Sequence, residues 1–511
     1  MIHLRSIQIG NFRSIKNTGV SFGDNKTVFV GKNMSGKSNI LHALEKIFDT
    51  GNHPIEPSDF KNNKKEIYIK VEIENNGIEQ EILLEAYLDQ TTKQVYTSIS
   101  DPENIIESCS FIHIPSDRTI QKHLKNSWYH SLVNMILNNK ESLSKKITKH
   151  IDKESKNNEY ESHSTLIIKL LNLYLSSLEE YNDDSLKIFI IDQPENFLHP
   201  HGTKLIDHLL QEIGEKNNTQ ILYSTHSPDL VANFKKGKYE ISDIVFTKKV
   251  DGISQYHKIQ NKYGKYNKIM ISLIFKNAEV FFSDAIILTE GETEKISLPN
   301  IYENWNWNEN DLPNNKTHLT PHNYFNINMK NISIVDVGGK GTLGDWYCFA
   351  CEVFGPKNVF AIMDRDSTYE SDELMIKKSI RQVYNKDVTS PCFEKYHWII
   401  LDGEFENYYK PEAIYRFFKE TIEKRAKKKW EDKYSKDKIE KDIKKLKLHM
   451  SELDIKGKIS LSYEHLFNKY FQKYSKPAIA FHLSEWMCNN KGYDLKLIKI
   501  LRNIVVEFDR E

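Results

Sequence analysis

The stretch Lys26–Phe48, "KTVFVGKNMSGKSNILHALEKIF", decides the fold. An apolar run, a glycine-bearing loop and a helical pattern follow one another without interruption. Inside it, Gly31–Ser38, "GKNMSGKS", is a complete G-x-x-x-x-G-K-[ST] phosphate loop between a strand and a helix. Glycine lets backbone amides wrap phosphate oxygens, and the helix N-terminus adds positive potential. Lys37 is placed to reach the β- and γ-phosphates of ATP and Ser38 to ligate Mg²⁺, with Gly31, Asn33, Ser35 and Gly36 completing the loop.

Working outward, the chain needs a second magnesium contact. The apolar run "IFII", Ile188–Ile191, ends in Asp192, which fits that role. The next residue in such a turn is usually a glutamate that activates water; here it is Gln193. An amide orients water but does not accept its proton. Glu195, two residues on, is the expected substitute. Another buried run, "ILYSTHSPDL", places His226 at a strand tip, where it is expected to contact the γ-phosphate. These residues predict ATP binding with slow hydrolysis.

The second half carries different chemistry. "IILTEGETE" puts Glu290 at the end of an apolar strand and Glu294 four residues later. "FAIMDRDS" puts Asp364 and Asp366 at another strand end, two apart and so on one side. Carboxylates converging at strand tips repel one another unless divalent cations neutralise them. All-oxygen ligands favour Mg²⁺ or Mn²⁺ over zinc.

The totals bound the remainder. At 511 residues the chain exceeds one ordinary core, which predicts two to four domains. With 39% hydrophobic and 28% charged residues it is a soluble globular protein and not a disordered one. The formal net charge is zero, so any nucleic-acid surface must be a local patch. Five scattered cysteines make no disulfide framework, and Cys348 and Cys351 read as packed thiols on a helix. There is no signal-peptide pattern and no run long enough to span a membrane, so a cytoplasmic location without membrane association is expected. Residues 424–447 hold twelve Lys or Arg against five Asp or Glu, a solvated helix face or a surface for nucleic acid, with Trp430 and Tyr434 four apart within it.

"IQIGNFRSIKN" (7–17), the phosphate loop, "DQPENFLHP" (192–200) and "STHSP" (224–228) together resemble the ABC-type, Rad50/SMC-like ATPase domain of OLD-family (overcoming lysogenization defect) nucleases. "LTEGETE" (288–294), "VGGKGTLGDW" (337–346) and the D-x-D of Asp364 and Asp366 resemble the Toprim domain that follows it in that family, and the Toprim-like nucleases of PARIS-type phage defence. The resemblance implies a third acidic motif in "DGEFENYYKPEAI" (402–414), with Glu406 preferred and Glu404 second, and a catalytic lysine, Lys476, in "SKPAIAFHL" (475–483). It also implies a homodimer or higher oligomer through the ATPase domain, with a signature segment acting in trans. "YESHSTL" (160–166) is the nearest candidate for that segment, and Arg118 stands where relatives often place an arginine.

The expected architecture is α/β: an ATPase domain over 1–275 with a helical arm at about 120–164, a Toprim domain over 276–410, and a charged helical region over 411–511 completing it. The domain boundary is expected in the polar stretch 248–268. The expected function is a metal-dependent endonuclease of anti-phage defence, gated by ATP. DNA is preferred over RNA as its substrate, and a further defence-system subunit is an expected partner. The alternatives are an ATPase-regulated RNase that cuts tRNA and an ATP-switched sensor or scaffold without nuclease activity.

Overall fold

The computed structural model describes residues 2–61, 64–75, 77–116, 127–139, 161–178, 185–196, 198–216, 218–232, 244–259, 277–316, 318–365, 397–410, 412–417 and 476–509, with a few further positions between 370 and 444. The chain divides into two compact units, Met1–Phe282 and Ser283–Glu511.

The first unit contains two sheets. One is antiparallel, in the order β2 (Asn17–Ser21), β1 (Ile2–Gly10), β4 (Glu66–Asn75), β5 (Ile78–Leu88), β6 (Val95–Ser100). Its strands alternate as the sequence does: Ile67, Ile69, Val71 and Ile73 of β4 face inward and the residues between them outward. The other sheet runs β11 (Ile253–Lys258), β10 (Ile244–Val250), β3 (Lys26–Val30), β9 (Thr219–Ser224), β8 (Leu186–Asp192), β7 (Cys109–Ile114). All neighbours are parallel except β10 and β11, which form a hairpin. Every residue of β3, β8 and β9 is buried, as central parallel strands covered on both faces require.

The helix after the phosphate loop, α1 (Lys37–Phe48), joins the two sheets. Its Ile40, Leu41, Leu44 and Ile47 share one core with Ile7, Ile69 and Leu84 of the antiparallel sheet and Ile188, Ile190 and Leu222 of the parallel one. Of the predicted helical arm, α2 (Ser127–Asn139) and the start of α3 (Glu161–Ser177) are described. A further helix, α4 (Pro200–Gly214), follows the Asp192 turn, with Pro200 at its first position and the His199 side chain accepting from the Gly202 amide. The polar stretch from residue 248, expected to be a boundary, instead supplies the β10–β11 hairpin up to Lys258; Lys248 and Lys249 lie at the end of β10, beyond its pairing with β3.

The second unit holds a four-stranded all-parallel sheet in the order β13 (Ile332–Asp336), β12 (Ala285–Thr289), β14 (Val359–Met363), β15 (Trp398–Ile400). The crossover helices α5 (Glu292–Asn304) and α6 (Lys340–Phe354) follow β12 and β13. Cys348 and Cys351 are buried on α6, packed thiols as read from the sequence. Two C-terminal helices, α7 (Lys476–Asn489) and α8 (Leu495–Phe508), enter the same core. Leu483, Leu497 and Leu501 cluster there with Ile287, Ile301 and Ile362, and Tyr302 donates to the Leu501 carbonyl at 3.0 Å. The chain steps from β12 outward to β13 and then back past β12 to β14. The reversal leaves a crevice between the carboxyl ends of β12 and β14, the position where open α/β sheets hold their ligands.

Candidate functional site

The phosphate loop closes over its own lysine. Lys37 Nζ donates to the carbonyls of Gly31 at 2.9 Å and Lys32 at 2.7 Å and lies 3.5 Å from His226 Nδ1. Burial lowers its ammonium to about 8, against the opposing pull of Asp192 and Glu195. Gly31 and Gly36 both have left-handed backbones and no room for a side chain. A Cβ on Gly31 would strike the Thr247 carbonyl, and one on Gly36 the Ser254 hydroxyl. Ser254 and Tyr256 of β11 brace the loop from behind, donating to the carbonyls of Ser35 and Gly36 at 2.7 Å each. Asn33 is exposed at the crest and Ser35 is buried.

Ser38 Oγ donates to both oxygens of Asp192, at 3.0 and 2.8 Å, so the two expected magnesium contacts are already adjacent. Ser224 of β9 donates to the same carboxylate. Gln193 takes a left-handed backbone at φ 53°, its amide bonded to the Ser224 carbonyl at 3.1 Å. Its side-chain oxygen accepts from Asn196 at 2.9 Å. Glu195 turns back toward the loop, its Oε1 accepting from the His226 amide at 2.7 Å. Burial and the neighbouring Lys37 charge push the His226 imidazole down to about 4, so it is neutral near pH 7. The parallel register delivers Lys37, Ser38, Asp192, Gln193, Glu195 and His226 together from three adjacent strand ends.

The second unit gathers carboxylates at the crevice. Glu290 follows β12 and Asp364 follows β14; Glu290 Oε2 accepts from the Asp364 amide at 3.3 Å. Glu294 is buried in the first turn of α5. Glu404 caps and Glu406 lies within a short 3₁₀ turn, Phe405–Tyr408, whose Phe405 amide donates to Asp364 Oδ1 at 2.8 Å. Asp364 therefore stands at the centre of the cluster. Burial first, then the charges of Glu294, Glu406, Glu290 and Glu404, raise its carboxyl to about 9. Both candidates for the third acidic motif reach the cluster, Glu406 buried and Glu404 half-buried.

The turn bearing Glu404 and Glu406 is held by the C-terminal segment. Lys410 N donates to the Gly492 carbonyl and Asp494 N to the Tyr408 carbonyl, both at 2.7 Å, around a Tyr409–Tyr493 bridge. Asp366, Arg118, Trp430, Tyr434 and nearly all of 424–447 lie outside the described residues, as do residues 140–160 of the arm. Lys476 opens α7 by its backbone, but its side chain lies outside them too; the same holds for the side chains of the Tyr160–Leu166 segment.

Comparison with known proteins agrees with both halves. A family model described as "AAA ATPase domain" matches residues 2–170, and a second AAA-domain model matches 161–232. The model "Overcoming lysogenization defect protein-like, TOPRIM domain" matches residues 281–366, which contain β12, β13, β14 and the Glu290, Glu294 and Asp364 positions. The chain carries an AAA-type ATPase region and an OLD-like Toprim domain.

Its relatives include the OLD nuclease of Thermus scotoductus, 27% identical over 157 residues, covering 30% of this chain and 26% of that protein. Another is the endonuclease GajA of Bacillus cereus, 25% identical over 245 residues, covering 43% of this chain and 32% of that protein. The matches thus span about a quarter to a third of these relatives' length. Among solved structures, the SMC head domain from Thermotoga maritima aligns over 50% of this chain and 99% of its own, at 17% identity and a TM-score of 0.33. Among the described residues no helix is long and apolar enough to cross a membrane.

Two features of the carboxylate site escaped the sequence. Asp336 ends β13 beside Thr289 and caps its own loop, accepting from the Gly338 amide at 2.8 Å. The next glycine, Gly339, donates its amide to the Glu290 carbonyl at 2.8 Å. The glycine-rich segment 337–346 thereby fixes the Glu290 backbone. Its glycines were visible in the sequence; the strand order that sets β13 beside β12 was not.

Proposed function

We propose that the chain is an ATP-gated, divalent-metal-dependent endonuclease acting in anti-phage defence, with DNA as the favoured substrate. The observation that carries this reading is the convergence of Glu290, Glu294, Asp364, Glu404 and Glu406 at the topological crevice of the second unit. So much buried negative charge fits divalent cations: the donors are all carboxylate oxygens, and Asp364 ionises with difficulty without added positive charge. Glu290, Glu294, Asp364 and Glu406 would hold Mg²⁺ or Mn²⁺, with Asp366 as a further ligand and Glu404 beside them. Such cations supply Lewis-acid activation of water and stabilisation of the leaving oxygen in phosphodiester hydrolysis. The protein's part is orientation. The Phe405 amide fixes one oxygen of Asp364, the Asp364 amide fixes one of Glu290, and the Gly339 amide holds the Glu290 backbone. Lys476 is assigned the role of offsetting charge that builds on the phosphate.

In the first unit Lys37, Ser38 and Asp192 would bind ATP with Mg²⁺. Gln193 accepts no proton, and its side chain is engaged by Asn196. Glu195 is the base available beside His226. Slow hydrolysis suits a nucleotide that works as a gate, and dimerisation through the ATPase units would set that gate.

The test is nicking of supercoiled plasmid with Mg²⁺ or Mn²⁺, with total RNA assayed in parallel. Nicking is expected from the wild type and not from a Glu290→Ala/Asp364→Ala variant. Undiminished cutting by that variant would overturn the assignment, and cutting of RNA alone would replace DNA as the substrate.

A further inference from the structure

The helix α1 carries a second cluster, away from the phosphate loop. His42 and Glu45 lie three residues apart, and so on one face of the helix. They meet His113 of β7. Glu45 uses both oxygens: His113 Nδ1 lies 2.6 Å from Oε1, and His42 Nδ1 lies 3.0 Å from Oε2. One donor atom from each of the three residues falls within 4.8 Å of the others. From the loop after α1, His53 brings its Nε2 to 3.4 Å from Glu45 Oε1. Glu45 and His113 are buried, and the second ring nitrogen of His113, Nε2, is buried with no hydrogen-bond partner among the described residues. The His53 side chain is 40% exposed and opens the cluster to solvent.

We propose that His42, Glu45 and His113, with His53 as fourth ligand, bind a single divalent cation of the zinc type. Three imidazoles and one carboxylate suit Zn²⁺, whereas the all-carboxylate set of the second unit suits Mg²⁺ or Mn²⁺. In a tetrahedral site with bonds near 2.0 Å, ligand atoms stand about 3.3 Å apart. The separations of 2.6, 3.0 and 3.4 Å around Glu45 reach that spacing with small side-chain rotations. The ion would tie the phosphate-loop helix to edge strand β7. Two residues beyond β7, the Ser116 carbonyl accepts from Asn196, which in turn holds the Gln193 side chain. The site is therefore a positioning clamp between α1 and the Asp192–Glu195 turn, and not part of either catalytic centre.

Cobalt distinguishes this site from the carboxylate one, because a tetrahedral nitrogen-rich site absorbs strongly in the visible and an octahedral oxygen site weakly. The full chain carrying Glu290→Ala/Asp364→Ala, stripped with chelator, is titrated with Co²⁺ alone. One equivalent with intense visible bands, displaced by Zn²⁺, is expected. His42→Gln should abolish the bands, and His53→Gln should weaken binding by about tenfold or more. Binding of a fluorescent ATP analogue reports that each variant is folded. Absence of intense bands before mutation, or bands of equal strength and affinity in folded His42→Gln protein, would overturn the proposal.

Discussion

At the scale of single residues, the proposed slow turnover of ATP rests on Gln193 and Glu195. Gln193 sits where a base is expected but is an amide held by Asn196, while Glu195 is a carboxylate on the His226 amide. Restoring a carboxylate with Gln193→Glu should raise steady-state ATP hydrolysis by roughly 10²-fold, within the usual contribution of a general base. Glu195→Gln should lower the residual wild-type rate while leaving ATP-analogue affinity nearly unchanged; phosphate release reads the first and equilibrium titration the second. His226 gives a pH signature. Its folded value of about 4 lies below the ordinary 6.5, so between these the unfolded chain binds a proton that the folded chain refuses. The stability of the ATPase unit should therefore fall as pH drops from about 6.5 toward 4. The urea midpoint of His226→Asn should fall less steeply over that interval.

Elements explain why the carboxylates meet. Glu290 and Asp364 are 74 residues apart, yet each is the first residue past its parallel strand, and β12 and β14 are neighbours. The third contribution depends on a tether, since Glu404 and Glu406 ride on a turn bonded to Gly492 and Asp494. Truncation before Gly492 should abolish metal-dependent nicking while leaving ATP-analogue binding by the first unit intact. Crowding of five carboxylates also costs stability when no cation is present. In chelator, Asp364→Asn should raise the melting temperature of the second unit, and Mn²⁺ should stabilise the wild type far more than the variant, as calorimetry would show. The legibility of these elements in the sequence followed burial. Runs such as "IFII" and "FAIM" are apolar throughout because central parallel strands are covered on both faces, and they were readable as strands. Strand β10 was not, because "KKV" at its end is charged and reads as a linker, although β10 and β11 pair to brace the phosphate loop.

On the whole-molecule scale the chain is two compact units with separate cores, one carrying the phosphate loop and the other the carboxylate cluster. Ligands that bind only the folded state stabilise the unit that holds them. Calorimetry should accordingly resolve two unfolding transitions. A non-hydrolysable ATP analogue should shift one and Mn²⁺ the other, with Lys37→Ala removing the first shift and Glu290→Ala/Asp364→Ala the second. A single transition moved equally by both ligands would contradict this division.

The sequence by itself determined the local chemistry: the phosphate loop, the acidic strand ends, Gln193 in place of a glutamate, and the α/β class. These are legible because a motif of adjacent residues fixes its own geometry through one strand, one turn and one helix. Only the tertiary structure decided which distant residues share a site. The β13–β12–β14–β15 order sets Asp364 among Glu290, Glu294, Glu404 and Glu406, and the packing of α1 beneath β7 sets His113 on Glu45. Strand order and helix packing follow from burying all the apolar faces at once, a property of the whole chain that no short stretch contains.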